Sequence, residues 1–399
     1  MRPRGRPAPL RAALPDDSFR GLIVVSVTLG SNLPDVDVLY TGFVGDPLVY
    51  VLHHRGYTHT LIGALVAAAV LWALCLLWLR FRRLRTSAGE AAWMAAAAVI
   101  GVLLHLAMDY TNSYGVHPFW PFFNGWIYGD SVFIVEPLMW LAAVPLIFLL
   151  QTRLARGLVA MAVVAAIIAV SGLGVVATPA VLAFIAIAAA LFAVGRWSRP
   201  AAALTCGIAW WLGVTAVFAV SGRIATARLG SLAEVEFPQS RTLDAVLTPM
   251  PADPVCWDGW LVQAQPGQEV MRHARISLLP GLIAVHDCRG VNLGTTAGAG
   301  GERVPAAATT GIQWLQQFSM PADAIARLAL TQCRARAFMQ FARVPLASAE
   351  GADWWLGDLR FGDVRGRGFS QLLTQPPAAC DGLSAPWSPP RPELLQTGP

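Results

Sequence analysis

The stretch from 132 to 221 constrains this chain more than any other feature, because it contains only five charged residues. Soluble proteins carry about 25% charged residues, whereas the whole chain of 399 residues carries 13% and is 55% hydrophobic. A stretch of this kind is stable in the hydrocarbon interior of a bilayer rather than at a surface in water. The sequence therefore predicts an integral membrane protein.

All 29 basic residues of the chain are arginine, and they give it a formal net charge of +5. Proteins that bind nucleic acid place such charges on a basic helix or in a patch interleaved with aromatic side chains. Neither pattern accompanies these arginines. Nucleic acid is therefore not an expected partner, whereas membrane lipid is.

Seven apolar runs are candidates for helices that cross a bilayer. They are 21–34, 59–79, 91–111, 132–151, 157–175, 178–195 and 201–221. The first is short because Pro34, followed by Asp35 and Asp37, ends it; it is expected to be tilted or re-entrant. The predicted fold class is an α-helical integral membrane protein with about six to seven transmembrane helices and a soluble C-terminal domain.

The distribution of arginine predicts how the chain is oriented, because basic loops stay on the cytoplasmic side. Alternate loops contain 13 arginines in total, whereas the opposite loops contain Arg55 alone. The contrast predicts a cytoplasmic, Arg- and Pro-rich segment over 1–20. It places 35–58, 110–131 and everything after about 222 on the outer face of a bacterial inner membrane.

Polar residues return after 221, which predicts a membrane domain over 21–221 and a soluble periplasmic domain over 222–399. Short β-branched or aromatic segments at 274–288 and 352–363 are predicted strands. The segment 311–342 is predicted to be helical. The outer domain is therefore expected to be mixed α/β.

Four of the six cysteines lie in this domain, and they are Cys256, Cys288, Cys333 and Cys380. In an oxidising compartment they permit two disulfides with three possible connectivities. Cys75 and Cys206 lie in apolar helices, where we expect inert buried thiols.

The polar chemistry of the membrane part is confined to one block between 35 and 136, which contains five of the seven histidines. From Pro137 to Ala233 there is neither an acid nor a histidine. Ionisable groups at membrane depth are costly, so their presence by default indicates a functional site. The block is therefore where a site is expected.

Two parts of the block lie before the second apolar run. Asp35 and Asp37 follow a proline, so both carboxylates can point at one cation if the chain turns there; the alternative is a solvated turn. His54, Arg55 and His59 belong to the segment His53–Thr60 at the start of the second apolar run. Imidazoles at a helix N-terminus suit a metal or anion site, and the alternative is an interfacial polar cap.

Two further parts lie in and after the third apolar run. His105 and Asp109 are four residues apart and share one helical face, so they can chelate one metal, or the carboxylate can orient the imidazole; a structural pair is the alternative. An outer loop then contains aromatic residues over 119–126, followed by Asp130. Such aromatics form an interfacial belt or line the mouth of a site for an apolar substrate.

Histidine and carboxylate ligands together suit a divalent metal ion, zinc first and manganese or iron as alternatives. Such an ion lowers the pKa of bound water and makes it a nucleophile. The sequence has no Gly-x-Ser-x-Gly elbow, P-loop or Rossmann fingerprint. Hydrolysis by metal-activated water is therefore the favoured reaction class.

Several segments resemble the YdjM-like family of bacterial inner-membrane proteins, described as membrane-bound metal-dependent hydrolases. These segments are Asn-Leu-Pro-Asp-Val-Asp (32–37), His-Arg-Gly-Tyr-Thr-His (54–59), His-Leu-Ala-Met-Asp (105–109), Asn-Ser-Tyr-Gly (112–115) and Tyr-Gly-Asp-Ser-Val-Phe-Ile-Val-Glu-Pro (128–137). The resemblance covers roughly 20–150. It implies metal-site roles for Asp35, Asp37, His54, His59, His105 and Asp109, with Arg55 and Asp130 nearby.

Members of this family usually begin with a helix that opens on an Asp-x-x-Thr-His motif. This sequence has the Arg- and Pro-rich segment Met1 to Asp17 in that place. Either the true start lies further upstream or this member has lost that ligand, so the usual first helix and its histidine are expected to be absent from the sequence as it stands.

The predicted function is that of a membrane-bound hydrolase acting on an ester or phosphoester, such as a lipid or another amphipathic substrate. The six residues named above as metal-site residues are the predicted ligands. Arg55 is predicted to bind an anion, and Asp130, Asp37 and Asp109 are the candidate bases, Asp130 first among them. The alternative is a non-enzymatic membrane scaffold or transporter in which the polar cluster is structural.

Overall fold

The computed structural model describes residues 12–150, 152–172, 176, 178–288, 301–302, 304, 309–351, 353–362, 364–365, 368–374, 383 and 385–396. The chain divides into two compact units. Unit 1 comprises Met1–Tyr110, Val116–Ile127 and Ala385–Trp387, and unit 2 comprises Thr111–Gly115, Tyr128–Ser384 and Ser388–Pro399.

The described residues of unit 1 form five α-helices and one small parallel strand pair. The helices are α1 (Asp16–Gly30), α2 (Asp37–Val44), α3 (Pro47–His53), α4 (Leu61–Phe81) and α5 (Ala88–Tyr110), and the strands are β1 (Ala12–Ala13) and β2 (Leu84–Arg85). Short 3-10 turns at Pro34–Val36 and Tyr57–His59 precede α2 and α4.

The core of unit 1 lies between α4 and α5, and it follows helical spacing. Its members are Ala64, Ala68, Leu71, Cys75 and Leu79 from α4, and Met94, Ala98, Val102 and Leu106 from α5. These positions recur every three or four residues and therefore form one face of each helix. The other faces are apolar too, with Leu74 and Leu77 exposed on α4. Helices that are hydrophobic all round suit a membrane.

Helices α1 and α5 approach so closely that only glycine fits at their crossing. A Cβ atom on Gly101 would lie 2.5 Å from the carbonyl oxygen of Val27, and one on Gly30 would lie 2.8 Å from that of Ala98. Small residues of this kind let the backbones of membrane helices touch. The crossing fixes the end of α1 against the face of α5 that also carries His105, one turn further on.

Unit 2 contains the remaining helices and strands. Its helices are α6 (Pro137–Trp140), α7 (Arg153–Gly172), α8 (Thr178–Trp197), α9 (Pro200–Glu236), α10 (Ala324–Thr331) and α11 (Cys333–Phe338). Strands β3 (Arg241–Met250), β4 (Asp253–Gln265), β5 (Gln268–Ser277) and β6 (Ile312–Pro321) form one antiparallel sheet in that order. Strands β7 (Pro345–Glu350), β8 (Asp353–Asp358) and β9 (Gln371–Thr374) form a second antiparallel sheet.

Among the described residues, α4, α5, α8 and α9 are long and apolar enough to cross a membrane. A fifth candidate is the pair formed by α1 and Pro34–Val44, which is bent by 55°. The bend agrees with the expectation that Pro34 ends the first apolar run. The prediction of a helical membrane protein with a further sheet-rich region is thus confirmed, while the count of six to seven spans stays a prediction.

The fourth predicted run, 132–151, is not one α-helix. It forms α6 followed by a 3-10 segment, Leu141–Leu149, that contains Pro145. Proline lacks the N–H that an α-helix requires and clashes with the preceding turn. The irregular backbone lies against two glycines. A Cβ atom on Gly195 would lie 2.7 Å from the carbonyl oxygen of Pro145, and one on Gly207 would lie 2.8 Å from that of Ala142. Burial against protein makes non-helical backbone tolerable in a membrane.

The prediction of a helix over 311–342 is wrong in its first third. Residues 312–321 form β6, in which Ile312, Trp314, Phe318 and Met320 are buried. A register shift between His273 and Ala274 of β5 interrupts the alternation, so Ile312 and Trp314 lie on one face of the sheet and Phe318 and Met320 on the other. Helix begins only at Ala324.

Of the two predicted strands, the one at 352–363 is confirmed, whereas the one at 274–288 is strand only over 274–277 and is wrong in the rest. Strand β5 ends at Ser277, because Pro280 and Gly281 interrupt it, and a 3-10 turn follows at Val285–Asp287. The confirmed strand is β8, which lies within its predicted range. Helix α9 runs without a break through residue 222 to Glu236.

One disulfide joins Cys256 to Cys288. Cys333 is also disulfide-bonded, and Cys380 lies outside the described residues. Cys75 and Cys206 are free, Cys75 being buried as expected and Cys206 partly buried.

Candidate metal centre

Three short segments of unit 1 supply the polar cluster. Asp35 and Asp37 lie where the 3-10 turn passes into α2, and His54 and His59 lie in the turn between α3 and α4. His105 and Asp109 lie in the last two turns of α5. We refer to residues 52–60, which carry His54, Arg55 and His59, as the metal loop.

Four side chains converge on one point: Asp35, His59, His105 and Asp109. The Nε2 atoms of His59 and His105 are 3.1 Å apart. They lie 3.1 and 3.3 Å from Oδ2 of Asp109 and 3.4 and 3.5 Å from Oδ1 of Asp35. Two carboxylate oxygens and two imidazole nitrogens thus face one another across a small gap.

These separations fit a bound divalent ion. A tetrahedral ion with metal–ligand distances of about 2.0–2.1 Å has ligands about 3.3 Å apart, and the five distances between these atoms range from 3.1 to 3.5 Å. Oδ2 of Asp109 is also buried, and its nearest partners are the two imidazole nitrogens. A cation between these three atoms would stabilise the buried carboxylate.

Hydrogen bonds on the far side of each ring orient the two imidazoles. Nδ1 of His105 lies 2.8 Å from the carbonyl oxygen of Ser31, so it donates there and directs Nε2 into the cluster. Nδ1 of His59 lies 3.0 Å from Oγ1 of Thr58 and 3.3 Å from Oδ2 of Asp37. Partners of this kind fix the tautomer of metal-binding histidines.

Burial alone would lower the pKa of His59, but hydrogen bonds to Asp109, Asp35 and Asp37 outweigh it and raise the pKa to about 10. These carboxylates therefore favour a second proton on the ring. An ion must displace that proton, which couples binding to pH.

Asp37 is the hub of the metal loop. Its side chain is fully buried. Oδ1 accepts from Nδ1 of His54 at 3.0 Å, and Oδ2 accepts from the backbone N–H of Arg55 at 2.9 Å and the hydroxyl of Thr58 at 3.0 Å. Asp35, Asp37 and His54 also form a second group with metal-ligand spacing, so the six predicted ligands fall into two groups that share Asp35.

Arg55 lies beside this cluster. Its Nη2 atom is 2.8 Å from Oδ1 of Asp109, and Nη1 donates to the Asp109 carbonyl at 3.3 Å. Its backbone adopts φ +57°, a left-handed conformation that costs a non-glycine residue free energy and persists only where the surroundings enforce it. Nδ1 of His117, 3.1 Å from the Arg55 carbonyl oxygen, helps to enforce it.

Asp130 belongs to unit 2, where its carboxylate pairs with Arg343 at 2.8 Å. Burial raises the pKa of Asp130, and the nearby Arg343 opposes that shift. In the aromatic loop, Phe119, Phe122 and Phe123 are exposed. Trp126 is instead buried against His117, with ring centroids 3.8 Å apart.

Sequence reasoning missed Ser31, Thr58 and Trp387 as neighbours of the site. Thr58 could have been found, because it lies within the motif that supplies His54 and His59. Ser31 contributes only a backbone carbonyl, which a sequence does not reveal. Trp387 reaches the metal loop from 335 positions away, and no local pattern marks it.

The fold and the cluster define an integral membrane protein with a His/Asp site suited to a metal ion. Residues 8–181 match the profile of a family described as "YdjM inner membrane protein". The match confirms, for this part of the chain, the resemblance to the YdjM-like family and supports the inner membrane as its location. All six predicted ligands, Arg55 and Asp130 lie within it.

Among curated proteins, the uncharacterized protein YfhP of Bacillus subtilis (strain 168) is 22% identical over 127 residues. The aligned part is 32% of this chain and 36% of that protein, so the chain spans about a third of that relative. No solved structure matches the chain significantly.

Proposed function

We propose that this protein is a metal-dependent hydrolase of the bacterial inner membrane that acts on an ester or phosphoester of an amphipathic substrate, such as a membrane lipid. The observation that supports this most strongly is the convergence of two imidazole nitrogens and two carboxylate oxygens. Five of the distances between pairs of these four atoms lie between 3.1 and 3.5 Å. The family match adds the inner-membrane context.

Asp35, His59, His105 and Asp109 would hold the ion, zinc being the first choice for such a donor set and manganese or iron the alternatives. A bound ion of this kind supplies Lewis acidity and lowers the pKa of water toward neutrality. Asp37 and His54 are proposed to support the site, either as ligands of a second ion with Asp35 or as partners that hold the metal loop.

Arg55 and Asp130 were predicted as catalytic residues, and their contacts favour more specific roles. The guanidinium of Arg55 is buried against Asp109, which favours a role in orienting that carboxylate over binding an anion. Asp130 pairs with Arg343, so as a base it would first have to leave a salt bridge.

The substrate class follows from what surrounds the cluster in unit 1. The side chain of Asp35 is 50% exposed, whereas those of His59, His105 and Asp109 are 0–13% exposed. Asp35 therefore marks the side from which a substrate can approach. Exposed apolar residues lie in the same unit, with Leu39 and Phe43 on α2 and Phe122, 91% exposed, in the aromatic loop. Such surfaces suit a molecule with a polar head and an apolar tail.

The orientation is also part of the proposal. The arginine pattern supports an outer-face location for 35–58 and 110–131. It supports a membrane domain over 21–221 and a periplasmic domain over 222–399. On this reading the cluster would meet lipid headgroups of the outer leaflet.

Elemental analysis of the detergent-purified protein tests the metal site. We expect about one equivalent of a divalent transition metal, lost on His59→Ala or His105→Ala. His53→Ala is the matched control, because His53 neighbours the same loop but belongs to neither metal-ligand group. Equal metal content in all four proteins would overturn the site.

Activity is tested on vesicles that contain carboxyl ester lipids or phospholipids, with product release followed by mass spectrometry. Hydrolysis that disappears with His105→Ala and persists with His53→Ala would support the hydrolase. Stoichiometric metal without hydrolysis of either class would instead favour a structural metal in a scaffold or transporter.

A further inference from the structure

Trp387 lies far along the chain from the metal loop and yet packs in unit 1. It is 2% exposed and among the largest fully buried side chains of the described residues. It lies outside the region 8–181 that matches the family. Its contacts are therefore a feature of this chain that the family match does not explain.

The indole ring holds the metal loop from outside. Nε1 donates to the carbonyl oxygen of Leu52 at 2.7 Å, at the end of α3. The same ring stacks on His117, with centroids 3.9 Å apart and planes inclined by 21°. It also packs beside Tyr57, with centroids 5.4 Å apart. Trp387 thus touches the loop before and after Arg55.

The indole of Trp387 lies close to the backbone of the metal loop at Gly56. A Cβ atom on Gly56 would lie 2.6 Å from the carbonyl oxygen of His53 and 3.4 Å from the ring of Trp387. Residue 56 therefore has no room for a side chain between the backbone of the loop and the indole. An alternative loop conformation would have to displace the ring.

Two sets of contacts thus define the geometry of the loop. On the inner side, Asp37 accepts from the backbone N–H of Arg55. On the outer side, His117 donates to the carbonyl oxygen of Arg55 while Trp387 covers its ring. Together they hold Arg55 in the left-handed region, and from there its guanidinium reaches Asp109.

We infer that Trp387 is a positioning residue of the metal centre, through which the C-terminal part of the chain sets the affinity of the site for its ion. The inference rests on the proposed function. Trp387 touches no predicted ligand of the first group; it acts on His59 and Asp109 through the loop that carries Arg55.

Zinc affinity of the full-length protein in detergent, measured by competition with a chelating dye, is the first readout. Loss of a residue that orients metal ligands costs about 10- to 100-fold in affinity, and we expect about tenfold for Trp387→Ala. Trp387→Phe keeps a ring but removes the N–H, and we expect no more than about fivefold, the net worth of one hydrogen bond.

Trp257→Phe is the matched control. Trp257 is fully buried, and its Nε1 donates to the carbonyl oxygen of Pro254 at 3.0 Å, but it lies in unit 2. A similar loss of thermal stability with unchanged zinc affinity is expected. If Trp387→Ala does not fold, Trp387→Phe against Trp257→Phe decides the question.

Hydrogen exchange of the metal-free protein is the second readout, and it does not depend on metal binding. Trp387→Phe should accelerate exchange of the amides in 52–60, and Trp257→Phe should not. If the wild-type protein does not bind zinc but Trp387→Phe still accelerates exchange in 52–60, the proposed metal site is refuted. Trp387 would then remain the residue that orders the loop. Unchanged affinity and unchanged exchange in both Trp387 variants would overturn the inference.

Discussion

Two groups of buried charge in this protein are built on opposite principles. In unit 2, Arg343 bonds Asp130 at 2.8 Å and Asp244 at 2.7 Å, and Arg360 bonds Asp358 at 2.7 Å. In unit 1, the carboxylates of Asp35, Asp37 and Asp109 meet mainly histidine, and among the described residues only Arg55 adds a permanent cation.

The two groups differ in whether the positive charge that balances the carboxylates can be lost as a proton. Arginine does not lose its proton in a protein, so the positive charges that pair with the carboxylates of unit 2 are permanent. Histidine protons exchange, so the cluster of unit 1 can give them up to a metal ion. A buried carboxylate therefore indicates a ligand site when its partners are exchangeable, and a structural pair when they are not.

The largest effect is expected from a variant that removes the permanent positive charge of Arg343. Arg343→Met leaves Asp130 and Asp244 buried without their main partner, which costs about 3–5 kcal/mol of unfolding free energy. Thermal unfolding in detergent measures the loss, and zinc content of the folded fraction should stay at the wild-type level. Arg327→Ala, which breaks an exposed pair with Asp323, should cost less than about 1 kcal/mol; a similar loss in both would contradict the assignment.

The second test changes the hub of the other cluster. Asp37→Asn keeps the size of the side chain but weakens its bonds to His54 and His59, so zinc affinity should fall about 10- to 100-fold. Asp46→Asn is its control, since Asp46 caps α3 in the same unit and asparagine caps equally well. Unchanged affinity in the Asp37 variant would show that the hub does not support the ligands.

The third test moves the helix that orients His105. Gly101→Ala places a methyl group 2.5 Å from the Val27 carbonyl oxygen, which separates α1 from α5 and weakens the bond from His105 to Ser31. Overpacking of this kind costs about 1–3 kcal/mol, and zinc affinity should decrease as well. Gly21→Ala in α1, where no atom lies within 4 Å, should instead raise the unfolding temperature slightly.

The smallest expected effect concerns His117, a buried group that has no acidic partner among the residues that the structure describes. Burial lowers its pKa to about 3. The unfolded chain therefore takes up a proton first as the pH falls below about 6.5, and stability decreases by up to about 1.4 kcal/mol for each pH unit between about 6.5 and 3. Unfolding temperatures at pH 7 and pH 5.5 measure the slope, which His117→Phe should reduce; an equal slope in that variant would assign the effect elsewhere.

Sequence reasoning identified the ligands of the first group because their signal is local. His105 and Asp109 share a helical face at a spacing of four, and Asp35 follows a proline that turns the chain. The same reasoning could not find how the rings are oriented, because Ser31 acts through its backbone and Trp387 comes from a distant segment. Both depend on tertiary packing, such as the contact of Gly30 with Gly101.

The fold shows the same division between local and distant information. Apolar runs predicted α4, α5 and α8 within a few residues and the start of α9, since length and hydropathy determine a membrane helix, but α9 continues to Glu236, well past the predicted end at 221. The prediction from apolar runs failed at 132–151, where Pro145 breaks the α-helix. Two glycines of the neighbouring helices leave space for the 3-10 segment that forms instead. Prediction also failed at β6, where a short alternating segment was mistaken for the start of a helix.

Helix α9 has a mechanical consequence. Its 37 residues extend about 55 Å, whereas the hydrocarbon core of a bilayer is about 30 Å thick. A helix of this length that crosses a bilayer has almost half of its length beyond the hydrocarbon core. In the second half of α9, Leu229 packs against Gly259 of the sheet, and Gly222 lies under Trp257. The sheet is thus attached to a stiff rod rather than to a flexible tether, so a force applied to it would tilt or rotate α9 within the bilayer.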